Sequence, residues 1–320
     1  MKKEFTMVGG GVRSSAIDGL KGLAIIGVLF AHADFSGRFS VSALKFVDDG
    51  QTLLGWCVIA FFFASGYLGA AKRDESFWSY IAERSKRLLL PCMIFSVTYK
   101  VLLLILGLVG ALDKAYGFPD ALFELVRFIV LPVGPQFYFL LYLFVICVSV
   151  EVLRRLIATE VIFLLGLVLV SLFQLWNPAS QPYGPDYALV GPYCLAYIAG
   201  LSFNSWAKNS LTQLLVVVAI ALLSITLRLD IFVYLAVCIS LFILANQVQP
   251  AAFFVFLGRR SSGIFVWHAP IMLPMCSLVA VAVVGTGVVS LLVALCTCIT
   301  LCIAVERVVY KYSLLRWWRF

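Results

Sequence analysis

The chain contains two histidines, His32 and His268, and both lie in apolar sequence. An imidazole can take and return a proton near neutral pH, or carry an acyl group on nitrogen. Ionisable groups inside a membrane-length apolar run are costly and mark function. The alternative for each is a structural histidine bonded to a neighbouring helix. His32 shares a helical stripe with Lys21 and Asp18. Lys21 precedes it by eleven residues, within about 20° of three full turns, and Asp18 lies about 40° off the same register. At 1.5 Å rise per residue, Lys21 and His32 stand about 16 Å apart along the axis. A cation near one membrane face and an imidazole near the other outline a path through the bilayer. Lys21 is also close enough to the helix end to snorkel.

A second group of polar residues lies in the basic stretch Lys72–Arg87. Arg84 and Arg87 are three apart, on adjacent sides of an amphipathic helix, and guanidinium forks grip phosphate. The competing reading is charge that sets topology and meets lipid phosphate. In FFFASGYL (Phe61–Leu68), Ser65 and Gly66 are small enough for close helix contact or for a ligand to pass. Gln136, Tyr138, Trp176 and Tyr183 suit a sugar pocket and equally suit interfacial aromatic belts. His268 stands about five residues into its apolar run, nearer the inner side. That depth argues against pairing it with His32. The sequence holds no phosphate-binding glycine loop, no HExxH and no carboxylate pair at di-metal spacing. No metal is expected.

These residues need elements to hold them, and the composition says which. Of 320 residues, 63% are hydrophobic and 12% are charged, against about 25% charged in soluble domains. Mean hydropathy is +1.04. A soluble fold cannot hide that much apolar surface, so an all-α integral membrane protein is expected. Ten apolar segments follow one another: Ile17–Phe35, Gln51–Ala71, Leu88–Val109, Gln136–Leu153, Ala158–Trp176, Tyr187–Trp206, Leu211–Leu227, Leu229–Asn246, Gly263–Ala282 and Gly287–Val309. Each is about the length a spanning helix needs. Phe123–Leu131 reads as a short interfacial or re-entrant piece, and Arg228 and Asp230 as a tight turn.

With both termini cytoplasmic, 18 of the 24 lysines and arginines fall on the inner segments. That asymmetry also explains the net charge of +8, which faces anionic lipid rather than nucleic acid. Residues 1–15 read as a flexible cytoplasmic tail, 16–312 as a single transmembrane domain and 313–320 as a second tail. The polar N-terminus lacks a signal-peptide core, so the first apolar run reads as a transmembrane helix. The nine cysteines all sit in apolar stretches and read as reduced, packed side chains.

Six pieces, in order, resemble acyltransferase family 3, a group of largely bacterial integral membrane O-acyltransferases. IDGLKGLAIIGVLFAH is similar to the family's first helix, with Lys21 where arginine is commoner and ten residues between it and His32. FFFASGYL resembles its FF-x-x-SG-[FY] signature. ERSKRLLLP (Glu83–Pro91) holds its R-x-x-R pattern, and FYFLLYL (Phe137–Leu143) its WFL-type helix start. LGRRSSGIFVWHAPI (Leu257–Ile271) is similar to the late LG-x-x-S segment ending in H-x-P. VERVVYKY (Val305–Tyr312) resembles the terminal acidic element.

The resemblance implies transfer of an acyl group, usually acetyl from acetyl-CoA, to a hydroxyl of a cell-surface glycan or its lipid-linked precursor. It implies CoA phosphates at Arg84 and Arg87, Lys21 as a nearby cation oriented by Asp18, and His32 at the chemistry. Ser65, Gln136, Tyr138 and His268 are substrate-side or supporting residues. The pantetheine arm of CoA is comparable in length with the Lys21–His32 separation. Whether His32 acts as general base or acyl carrier stays open, as does the oligomeric state. A bacterial inner membrane is the implied location. Two other classes remain: a transporter, which would show helix-breaking pairs in matching halves, and a non-catalytic binding protein, which would tolerate loss of His32.

Overall fold

The computed structural model describes residues 6–8, 11–33, 39–40, 45, 54–70, 76–108, 137–176, 190–206, 210–227, 230–268 and 272–311. Gln136, Tyr183, the Phe123–Leu131 piece and the Arg228 turn lie outside them. The described residues are all-helical apart from one small hairpin, in which strand β1 (Thr6–Val8) pairs antiparallel with β2 (Gly11–Arg13). That hairpin occupies part of the segment expected to be a plain tail.

The described residues of the ten apolar runs are largely helical. In order the helical elements are α1 (Ser15–Ala31), α2 (Trp56–Gly69), α3 (Phe77–Arg84), a π turn (Ser85–Leu89), α4 (Leu90–Leu108), α5 (Tyr138–Leu156), α6 (Thr159–Trp176) and α7 (Val190–Trp206). Then follow α8 (Ser210–Leu227), α9 (Asp230–Gln247), α10 (Ala252–Arg259), α11 (Ser261–Trp267), α12 (Leu273–Val284) and α13 (Val288–Lys311). By length and composition, one stretch of described helix, Val288–Val309 in α13, is long and apolar enough to cross a membrane.

Two differences from the sequence reading matter. The amphipathic helix expected around Arg84 and Arg87 does not stop before the next span but runs through the π turn directly into α4. The ninth apolar run is preceded by α10, a helix too short and too close to two arginines to stand out as a span.

The chain divides into two compact units, residues 1–75 with 149–308 and residues 76–148 with 309–320. In the first, α1 packs against α2, α9 and α10, and α2 packs against α7 and α9. Glycine makes the closest of these contacts. A methyl group on Gly66 would run into the Tyr197 carbonyl, and one on Gly200 into the Phe63 carbonyl, so α2 and α7 touch backbone to backbone. Gly22 and Gly258 do the same between α1 and α10, against the carbonyls of Phe254 and Asp18. An aromatic cluster of Phe63, Tyr67, Phe203 and Phe242 fills the space beside α2.

The outward faces are apolar. On α6, Val161, Leu164, Leu165, Val168, Leu169 and Leu172 are exposed in one stripe, and on α8, Leu211, Leu214, Leu215, Val218 and Leu222 form another. Continuous faces of this kind are stable against hydrocarbon and adhesive in water.

Candidate active site

The start of α1 is fixed by Ser14, whose hydroxyl accepts a hydrogen bond from the Ile17 amide at 3.5 Å. Asp18 follows in the first turn, buried, where a carboxylate complements the helix dipole. Arg259 Nε donates to Asp18 Oδ2 at 3.3 Å. The next residue, Arg260, turns the other way. Its Nη1 donates to Glu306 Oε2 of α13 at 3.1 Å, and its guanidinium lies 5.1 Å from the Phe256 ring. Sequence reading took Arg259 and Arg260 as topology-setting charge and passed over Asp18 and Glu306 as their partners. Two buried carboxylates in so apolar a chain were the signal available, because a buried charge needs a counter-charge. Lys21, half-buried, stands one turn beyond Asp18.

At the other end of α1, His32 is the C-cap residue. Its ring Nδ1 lies 2.8 Å from the Val28 carbonyl. A carbonyl only accepts, so Nδ1 carries the hydrogen, and in the neutral ring the lone pair is on Nε2. His268, the C-cap of α11, repeats the arrangement. Its Nδ1 lies 2.7 Å from the Phe265 carbonyl and 3.1 Å from that of Ile264. His268 is fully buried, and its Nε2 has no hydrogen-bond partner among the described residues.

The two imidazoles meet. Their centroids are 5.2 Å apart and their planes are nearly perpendicular, at 82°. This departs from the depth argument that separated them. The helical element carrying His268 begins at Ala252, not at Gly263. Since Asp18 lies against Gly258 and His32 against His268, α1 and the α10–α11 element run in the same sense. Both histidines then fall roughly three to four turns beyond that first contact.

Ser65 is half-buried on α2, next to the close contact that Gly66 makes with α7. In the second unit, Arg84 ends α3 with its guanidinium 5.1 Å from the Tyr80 ring, and Arg87 in the π turn pairs with Glu83 at 2.6 Å. The Leu90 amide bonds back to the Ser85 carbonyl, the wider i to i−5 pattern that frequently marks functional segments. Arg87 keeps 43% of its side chain exposed. Tyr138 opens α5 and packs on the Tyr142 ring at 5.5 Å. No group of three or more histidine, cysteine, aspartate or glutamate side chains among the described residues could hold a metal ion.

Residues 14–307 match the family model for an acyltransferase domain. The chain belongs to acyltransferase family 3. The match spans both compact units and takes in every candidate residue above. The family is one of membrane proteins, in keeping with the apolar stripes on α6 and α8 and with the length of α13. No curated protein and no solved structure matches the chain. Acyltransferase chemistry is therefore the frame for the paired imidazoles.

Proposed function

We propose that the protein is a multi-pass membrane O-acyltransferase that moves an acetyl group from cytoplasmic acetyl-CoA to a hydroxyl of a cell-surface glycan or its lipid-linked precursor. Ten spans with both termini cytoplasmic, in a bacterial inner membrane, carry the 16–312 domain. Arg84 and Arg87 hold the CoA phosphates at the inner face, with Lys21 as a further cation. His32 is at the chemistry, while Asp18, Ser65, Gln136 and Tyr138 support donor or acceptor.

The observation that carries this reading is the tautomer of His32. With Nδ1–H held on the Val28 carbonyl, the ring is fixed in orientation and Nε2 is the nitrogen that can act on a carbonyl or a hydroxyl. A buried imidazole kept only for packing needs one partner, and Gln or Asn can often replace it at a cost of about 1 kcal/mol. An amide takes no proton near pH 7, so a base or acyl carrier admits no such replacement.

The test is acetyl transfer to glycan in membranes, normalised to protein level. His32→Ala and His32→Gln should both accumulate normally and lose transfer by about 10²-fold or more. A His32→Gln protein keeping more than about a tenth of the wild-type rate would return His32 to a structural role.

A further inference from the structure

The proposed function leaves His32 with two possible tasks, and the second histidine separates them. A single base suffices for direct transfer. It takes the hydroxyl proton as oxygen attacks the thioester, then gives that proton to the departing sulfur. A second buried imidazole with an unused nitrogen has no task in that scheme. It has one if His32 carries the acyl group. Nδ1 of His32 is committed to the Val28 carbonyl, and Nε2 is then acylated. His32 has no remaining nitrogen to accept the acceptor's proton. The nearest imidazole, 5.2 Å away centroid to centroid, is His268, whose Nε2 is fully buried and unpartnered among the described residues.

We propose, on the acyltransferase reading above, that the two histidines divide the reaction: His32 carries the acyl group on Nε2, and His268 Nε2 is the base that accepts the hydroxyl proton. In the first step the His32 Nε2 lone pair attacks the thioester carbonyl carbon. The N–C bond forms, the C–S bond breaks, and sulfur leaves with the electron pair as thiolate and takes a proton from solvent. The ring becomes an acyl-imidazolium that keeps Nδ1–H on Val28. In the second step the acceptor oxygen attacks the acyl carbon. The O–C bond forms, the N–C bond breaks, and its electron pair returns to His32 Nε2. The hydroxyl proton passes to His268 Nε2, and His268 later releases it to solvent. Protons taken and released balance, and the products are ester and free thiol. The burial of His268 also fits a reactive N-acyl group, which must be kept from water.

The scheme predicts a half-reaction that needs no acceptor. The purified full-length chain, in glycan-free liposomes, is given acetyl-CoA and radiolabelled CoA. Wild type should exchange label between the two. His268→Gln should keep that exchange within about threefold yet lose glycan acetylation by about 10²-fold or more, and His32→Gln should lose both. Wild-type protein that acetylates glycan but catalyses no exchange would overturn the proposal in favour of direct transfer. So would a His268→Gln protein that accumulates normally and either keeps both reactions or loses both. If that variant does not accumulate, wild type still decides. Exchange with parallel double-reciprocal lines for the two substrates supports the carrier, and intersecting lines without exchange overturn it. Wild-type protein that transfers acetyl to no hydroxyl at all is a different result, and it would sink the acyltransferase reading itself.

Discussion

Substituting Gly66 and Gly200 by alanine tests the backbone contact that holds α2 against α7. In both cases the added methyl meets a main-chain carbonyl, that of Tyr197 or Phe63, and not the movable end of a side chain. Relief requires the helices to part by on the order of 1 Å to restore an ordinary carbon–oxygen contact. Overpacking of this kind costs about 1–3 kcal/mol, and a rigid obstacle places each variant near the top of that range. The two glycines lie on opposite helices of one interface, so the separation forced by the first methyl makes room for the second. The double variant should therefore cost about 3–4 kcal/mol, well short of the roughly 6 kcal/mol that additivity gives. At a few degrees per kcal/mol, each single variant should unfold roughly 6–12 °C below wild type. The assay is thermal unfolding of purified protein in detergent. Gly166→Ala, whose nearest neighbour would lie at 3.6 Å, and Gly287→Ala, with nothing within 4 Å, are the controls and should stay close to wild type. Additive losses, or losses no larger than the controls, would refute the backbone-contact argument.

Arg84→Ala and Arg87→Ala should each weaken donor use roughly 10- to 150-fold, the loss of one charge-assisted phosphate contact of about 1.5–3 kcal/mol. Lysine should restore part of it; unchanged acetyl-CoA dependence in both alanine variants would assign these arginines to topology. Arg260→Ala, which strands a Glu306 side chain only 8% exposed, should destabilise by about 1–3 kcal/mol in detergent unfolding. Arg259→Ala removes a donor from an Asp18 side chain that is equally buried, at 9% exposed, and should cost a comparable amount; negligible loss in both variants would contradict the burial argument. Cysteines placed at Ser76 and Ser180 should react with an impermeant maleimide from opposite sides of the membrane, whereas labelling from one side would break the ten-span arrangement.

The apolar runs announced nearly every helix because each is long, uninterrupted and bounded by polar residues. Ala252–Arg259 escaped because eight residues ending at two arginines look like a loop when their carboxylate partners are out of view. Those partners lie 241 and 46 residues away, a distance over which local periodicity carries no information. The same omission displaced the estimated depth of His268 and so hid the imidazole pair. The π turn at Ser85–Leu89 is a matter of one extra residue in a hydrogen-bond ring, and composition does not register it. The small residues in FFFASGYL were legible as a close-contact site. That Gly66 makes the contact with Tyr197 while Ser65 sits beside it required coordinates.

The span of 241 residues between Asp18 and Arg259 also has a temporal meaning. A ribosome makes α1 long before it has made α10, so the Asp18 carboxylate is in place well ahead of this counter-charge. Arg260 waits in turn for Glu306, near the far end of α13. A chain that stalls or is cut before Arg259 therefore holds the Asp18 carboxylate without this guanidinium, and only the longer chain brings the two together.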